Sequence, residues 1–171
     1  MRSGPGLYTS RHAGRCGAGR WVAVSSASRP VGSVEIAVPP TPEYLQVVRA
    51  IVGATAALDD RLQPGRVADV RLVVSEAVTN AIRAQATAGV AAAIDVRCDL
   101  AGDRIIVEVA DHGPGFDPSA VPDLPEVETP ERLRHESGLG VSLMHQLADS
   151  AQFESGPGGT IVKLTFVVGD A

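Results

Sequence analysis

Twice in this chain, two strand-like runs stand back to back with only a few residues between them. Ala91 to Leu100 and Arg104 to Asp111 are separated by Ala101-Gly102-Asp103, and Ala151–Ser155 and Thr160–Val168 by Gly156-Pro157-Gly158-Gly159. Links that short suit hairpins between antiparallel neighbours, so the chain cannot be a strict alternation of strand and helix. A further run, Ser33-Val34-Glu35-Ile36-Ala37-Val38, alternates polar and apolar residues as a half-buried strand does, and Pro39-Pro40 ends it.

Two helical patterns lie between that first run and the first pair. Thr41 and Pro42 suit an N-cap and a first-turn proline for a helix reaching about Leu58. Gln63-Pro64-Gly65 makes a turn, and a second helix is expected from about Arg66 to Ala86. There Val70, Val73, Val74, Ala77, Val78 and Ala81 recur at helical spacing and form a core-facing stripe. A third helix is expected from about Leu139 to Asp149. The order β-α-α-β-β-loop-α-β-β predicts an α+β sandwich, a mostly antiparallel sheet with helices on one face. Residues 112–137 are proline-rich and acidic with no strong period, a long loop of the kind that is usually functional or mobile.

A length of 171 residues predicts one domain, and with only 4% aromatic residues its core must be filled by Val, Ile, Leu and Ala. The two cysteines, Cys16 and Cys98, make neither a disulfide framework nor a zinc pattern, which fits a reducing cytoplasm. No apolar run approaches the roughly 20 residues that span a bilayer. The basic start lacks a following apolar segment, so neither a membrane span nor a secretory signal is expected. The net charge of −5 is unevenly placed. Residues 1–32 hold five arginines and no acid among many glycines and serines, and are expected to be a disordered basic tail. The domain of residues 33–171 is therefore acidic, which argues against the broad phosphate contacts of a nucleic-acid-binding surface.

Three short segments carry the chemistry. Glu76 and Asn80 are four apart and share one helix face; Asn80 offers a hard oxygen donor for Mg²⁺, and Glu76 a carboxylate able to orient or deprotonate an attacking hydroxyl. The same pair also suits a plain polar edge on an amphipathic helix. Asp111 ends the apolar run Ile105–Ala110 and precedes Gly113 and Gly115; a carboxylate there can accept a hydrogen bond from an exocyclic amine such as that of adenine, or simply open an Asp-x-Gly turn. Gly138-Leu139-Gly140 opens the third helix, whose exposed N–H groups suit phosphate, or forms a hinge. His112, His135 and His145 show no metal spacing, and Arg132 with Arg134 read as a solvated charge run.

Other glycine-based sites fail on context. A dinucleotide fold needs a strand directly before its glycines, but Glu131-Arg132-Leu133-Arg134-His135-Glu136 precedes Gly138. A methyl-transfer site needs a helix directly after Gly115, where Asp117-Pro118-Ser119 follows instead. No Walker-type phosphate loop occurs, and the only lysine is Lys163, in the last strand run.

In their order, the three segments resemble the N, G1 and G2 boxes of the GHKL ATPase superfamily. Within it, Ser75-Glu76-Ala77-Val78-Thr79-Asn80-Ala81 and the small size resemble the anti-sigma-factor serine/threonine kinases of bacterial sporulation and stress control. The resemblance spans about residues 33–168. It implies the Bergerat fold: a two-layer α/β sandwich with a mostly antiparallel mixed sheet, helices on one face, and an ATP lid over residues 112–137. It implies ATP and Mg²⁺ as cofactors, Asn80 as metal ligand and Glu76 as general base. Asp111 would recognise adenine with help from Thr160, Gly113 and Gly115 would shape the pocket, and Gly138, Leu139 and Gly140 would line the phosphate side. The implied partners are a sigma factor and an anti-anti-sigma protein, with no direct nucleic acid or membrane contact, and relatives that commonly dimerise allow a homodimer. One departure stands out: many relatives carry a His four residues after the box Asn, where this chain has Ala84. That leaves room for a non-catalytic, nucleotide-gated binding protein. His12 lies in the tail, not on a preceding dimerisation helix, which argues against autophosphorylating histidine-kinase behaviour.

Overall fold

A computed structural model describes residues 32–116 and 136–168. Five strands, β1 (Gly32–Val38), β2 (Ile94–Leu100), β3 (Arg104–Ala110), β4 (Ser150–Gly156) and β5 (Gly159–Val167), form one sheet in the order β1-β2-β3-β5-β4. Three α-helices, α1 (Leu45–Ala56), α2 (Pro64–Ala88) and α3 (Glu136–Leu147), complete the two-layer α+β arrangement. The sheet is antiparallel, as expected for most of it, in each of its four neighbouring pairs. The path of the chain explains this. Two helices separate β1 from β2, so the chain reverses three times and β2 arrives opposed to β1. Likewise β5 follows β3 after one helix and one further strand, and arrives opposed to it.

Alternation fixes which face is buried. Val34, Ile36 and Val38 stand opposite Cys98, Val96 and Ile94 across β1 and β2. Val107 and Val109 likewise pair with Leu164 and Val162. On that face Ile94, Val96, Cys98, Ile105, Val107, Val109, Leu164 and Phe166 are nearly or wholly buried. All six residues of the α2 stripe anticipated from sequence are buried against them. Burial pushes the Cys98 thiol up to about 12, so it remains a protonated core side chain. On the opposite face a row of charges crosses the sheet and is paired within it. Arg97 meets Glu35 at 3.2 Å and Asp99 at 2.8 Å, and Lys163 meets Glu108 at 3.3 Å.

Element ends depart from expectation at β2, which begins at Ile94 and not at Ala91, and around all three helices. Thr41 is extended but makes no side-chain cap; a 3₁₀ turn (Pro42–Tyr44) precedes α1, and the Thr41 carbonyl accepts the Tyr44 N–H at 3.2 Å. Its hydroxyl serves the Glu43 carboxylate instead, holding that group below its ordinary range. Helix α2 begins earlier than expected, at Pro64 itself, and ends at Gly89 in the left-handed region. Helix α3 also begins earlier, and it stops at Leu147, short of Asp149. Asp149 has joined the sheet edge: its N–H donates to the Thr165 carbonyl at 2.9 Å and its carboxylate accepts the Val167 N–H at 2.7 Å.

Arg66 ties these pieces together. Its guanidinium donates to the Leu147 carbonyl (2.7 Å) and to Asp149 (2.6 Å), approaches Asp69 at 3.3 Å, and lies 5.4 Å from the centre of the Phe166 ring. With a side chain still 31% exposed, its ion pairs are partly screened. Arg66→Met is expected to destabilise the fold by about 1–2 kcal/mol, mainly through the unpaired Leu147 carbonyl and the lost ring contact. Urea unfolding measures this.

Candidate nucleotide site

Helix α2 lies between α1 and α3 over the sheet, and its middle and C-terminal turns carry the first part of the site. Glu76 and Asn80, one turn apart and both half-buried, face the early part of α3. A Cβ built on Gly140 would stand 3.1 Å from Glu76 Oε2 and 3.2 Å from Asn80 Nδ2. Glycine at 140 thus lets the two helices close on both polar side chains. The sequence reading gave Gly140 an exposed N–H for phosphate. As the fifth residue of α3 it is instead inside the helical hydrogen-bond ladder, and what it contributes is a missing side chain. Gly138 and Leu139 fall in the first turn of α3, and the Leu139 side chain lies outside the described residues.

The second part forms where β3 leaves the sheet. The Asp111 N–H donates to the Thr160 carbonyl at 2.9 Å. Its carboxylate Oδ1 accepts the Gly113 N–H at 2.7 Å and the Thr160 N–H at 3.3 Å. Burial raises the Asp111 carboxyl above its ordinary value despite these two donors, which pull the other way. Gly159, at φ +131°, is forced to be glycine: a Cβ would come 2.0 Å from the Asp111 carbonyl oxygen. Gly115, at φ +75°, packs on the Gly156 carbonyl in the same manner. A Cβ on Gly113 would lie 2.9 Å from that of Ala84, so the turn rests directly on α2.

Some contributors were not anticipated. Ser155 Oγ accepts the Phe116 N–H at 2.8 Å and lies 3.0 Å from the hydroxyl of buried Thr160, tying the turn after Asp111 to the β4–β5 hairpin. Phe116 also stands edge-on to Phe153, whose ring is 5.5 Å from that of His145. Gln85 is fully buried, accepts the His112 N–H at 3.0 Å and donates to the Ala92 carbonyl at 2.7 Å. One sequence signal pointed to it: position 85 continues the apolar stripe from Ala81, so a glutamine there breaks the pattern. Ser155 gave no such signal, because its partners are reached only across the hairpin.

Glu76, Asn80 and Gly140 therefore meet at one point, and Asp111, Gly113, Gly115 and Thr160 at another. The donor set fits nucleotide and metal: a half-buried carboxylate held in place by two N–H groups at one end, hard oxygens at the other, and glycine-lined approaches where any Cβ would intrude. Most of the 112–137 loop, together with Arg132, Arg134 and His135, lies outside the described residues.

The histidine kinase-like ATPase domain family matches residues 38–166. The anti-sigma F factor of a Thermoanaerobacter species is 35% identical over 124 residues, covering 71% of this chain and 83% of that protein. The serine-protein kinase RsbW of Bacillus velezensis is 31% identical over 153 residues, covering 84% and 91%. Among solved structures, the RsbU and RsbW domains of a Mycobacterium tuberculosis protein superpose with a TM-score of 0.59 at 24% identity, covering 83% of this chain and 34% of that one. The SiaB–SiaC complex from Pseudomonas aeruginosa gives 0.57 at 14% identity, covering 78% and 88%. These two share the fold. The order of boxes, the sheet that brings them together and the relatives agree: the chain belongs to the histidine kinase-like ATPase family, among the anti-sigma-factor serine kinases.

Proposed function

We propose that this protein is an ATP-dependent serine/threonine kinase and anti-sigma factor of the cytoplasm, which binds a sigma factor and phosphorylates an anti-anti-sigma partner. The observation that carries the reading is the meeting of Glu76, Asn80 and Gly140 at one point, with the Asp111 clamp formed where β3 leaves the sheet. Its relatives named anti-sigma F factor and RsbW support the choice of partners.

In this reading Asp111 accepts a hydrogen bond from the adenine amino group, and the Thr160 hydroxyl assists. Asn80 is the ligand that would hold Mg²⁺, which supplies charge neutralisation at the phosphates. Glu76 takes the proton of the partner's serine or threonine hydroxyl as its oxygen attacks the γ-phosphorus. The bond from that phosphorus to the β–γ bridging oxygen breaks, and ADP leaves carrying the electron pair. Gly140 keeps α3 tight against Glu76 and Asn80, which limits water at the reacting oxygen.

A second reading rests on Ala84, which packs against Gly113 where many relatives carry a His: the site binds nucleotide and gates partner binding without transfer. Incubation with a cognate anti-anti-sigma protein, Mg²⁺ and γ-labelled ATP separates the two. Label on a serine or threonine of the partner is the expected result. Calorimetric ATP binding with no label transferred would favour the gated binder. No heat at all would remove the nucleotide reading, and failure of a sigma factor to co-purify would remove the anti-sigma role.

A further inference from the structure

Glu76 and Asn80 belong to α2, while Asp111 directly follows β3. A nucleotide that touches both ends is bound only as well as the distance between those two elements is fixed. Two successive α2 residues meet the segment that follows β3. Ala84 stands against Gly113, and Gln85, with no exposed surface, accepts the N–H of His112, the neighbour of Asp111. The other end of the Gln85 amide donates to the Ala92 carbonyl at 2.7 Å; the Val90 carbonyl, at 3.5 Å, is too far to add much.

We infer that Gln85 is a positioning residue: through the His112 N–H it sets where Asp111 sits relative to Glu76 and Asn80, and so tunes nucleotide affinity without touching the nucleotide. This rests on the nucleotide reading above. The chemistry selects the residue. One partner offers only a donor and the other only an acceptor, and the Gln85 side chain between them is fully buried, so it must accept and donate at once. Glutamine is the uncharged side chain of that length which does both. Methionine fills the same volume and does neither. Asparagine keeps the amide but is one methylene too short to reach both partners. Glutamate keeps an acceptor for the His112 N–H.

The bond also orients the Asp111–His112 peptide. With the His112 N–H turned toward α2, the Gly113 and Thr160 N–H groups converge on Asp111 Oδ1. In the nucleotide reading the second carboxylate oxygen is the one left to accept from the base.

The test uses the full chain and Mg-ATP, with affinity measured by calorimetry well below the unfolding midpoint. Gln85→Met is expected to weaken ATP binding about tenfold, and Gln85→Asn by a similar factor. In an Asp111→Asn background the Gln85→Met penalty is expected to vanish, because the group being positioned no longer performs its part; a residue that merely supports the core would give the same penalty in both backgrounds. If Gln85→Met does not fold, Gln85→Asn answers the same question. Equal penalties in the two backgrounds, or affinity within twofold of wild type for both the Met and Asn variants, would overturn the inference while leaving the nucleotide reading intact. Absence of ATP binding by the wild-type chain would overturn both.

Discussion

Glu76→Gln is expected to lower phosphoryl transfer to the partner protein about 10²–10⁴-fold while leaving ATP affinity within a few-fold of wild type, the range typical for removal of a general base. The substitution keeps volume and hydrogen-bonding reach beside Gly140, so α3 need not move. What it removes is the capacity to take a proton. A single-turnover assay with labelled ATP, run beside calorimetry, measures the two quantities separately. Full transfer by the variant would show that another group takes the proton. A parallel collapse of affinity would instead assign Glu76 to holding the metal or the phosphates.

The second large effect concerns Asp111 and divides binding from stability. Asp111→Asn is expected to weaken ATP binding about 100-fold, on the order of 3 kcal/mol, because an amide placed for the Gly113 and Thr160 N–H groups keeps one acceptor but turns a donor toward the base. The effect on folding runs the other way. Burial raises the carboxyl of Asp111 in the folded chain, so folding favours its protonated form. Relative to a neutral amide, the stability associated with Asp111 is fully present below the unfolded-state value, near 4, and is lost as pH rises through the raised folded-state value. At neutral pH the ionised, half-buried carboxylate therefore burdens the fold. Asp111→Asn is expected to be at least as stable as wild type at pH 7, with the difference shrinking toward pH 4. Urea unfolding at the two pH values measures it. A variant clearly less stable at neutral pH would mean that the two N–H contacts outweigh the desolvation. A residue that weakens its own fold while holding a ligand is what a binding site commonly shows.

The resemblance among three boxes did much of the functional reading, and its reach can be stated residue by residue. Glu76 with Asn80 and Asp111 with Gly113 were legible because each pair is local: residues four apart on a helix share a face, and an aspartate two residues before a glycine makes a turn. That Gly140 closes on Glu76 was not legible, since the two are separated by the whole of β2, β3 and the intervening loop. The sequence alone places Gly140 near a helix opening and shows nothing of the side chains it stands against. The Thr41 cap failed for a related reason: the Glu43 side chain competes for its hydroxyl.

By itself the sequence determined what depends on near neighbours. It determined the two hairpins and their turns, the α2 stripe from Val70 to Ala81, the order of elements, and the acidic character of the domain. Periods of two and 3.6 are properties of adjacent residues, and they hold wherever the element is placed. Tertiary structure alone decided which distant residues meet: Thr160 on Asp111, Gly159 under the Asp111 carbonyl, Gln85 on the His112 N–H, and a sheet antiparallel throughout. Such contacts exist only after the sheet and helices have buried a common core, because the burial of that core brings remote segments to one place and fixes their separation.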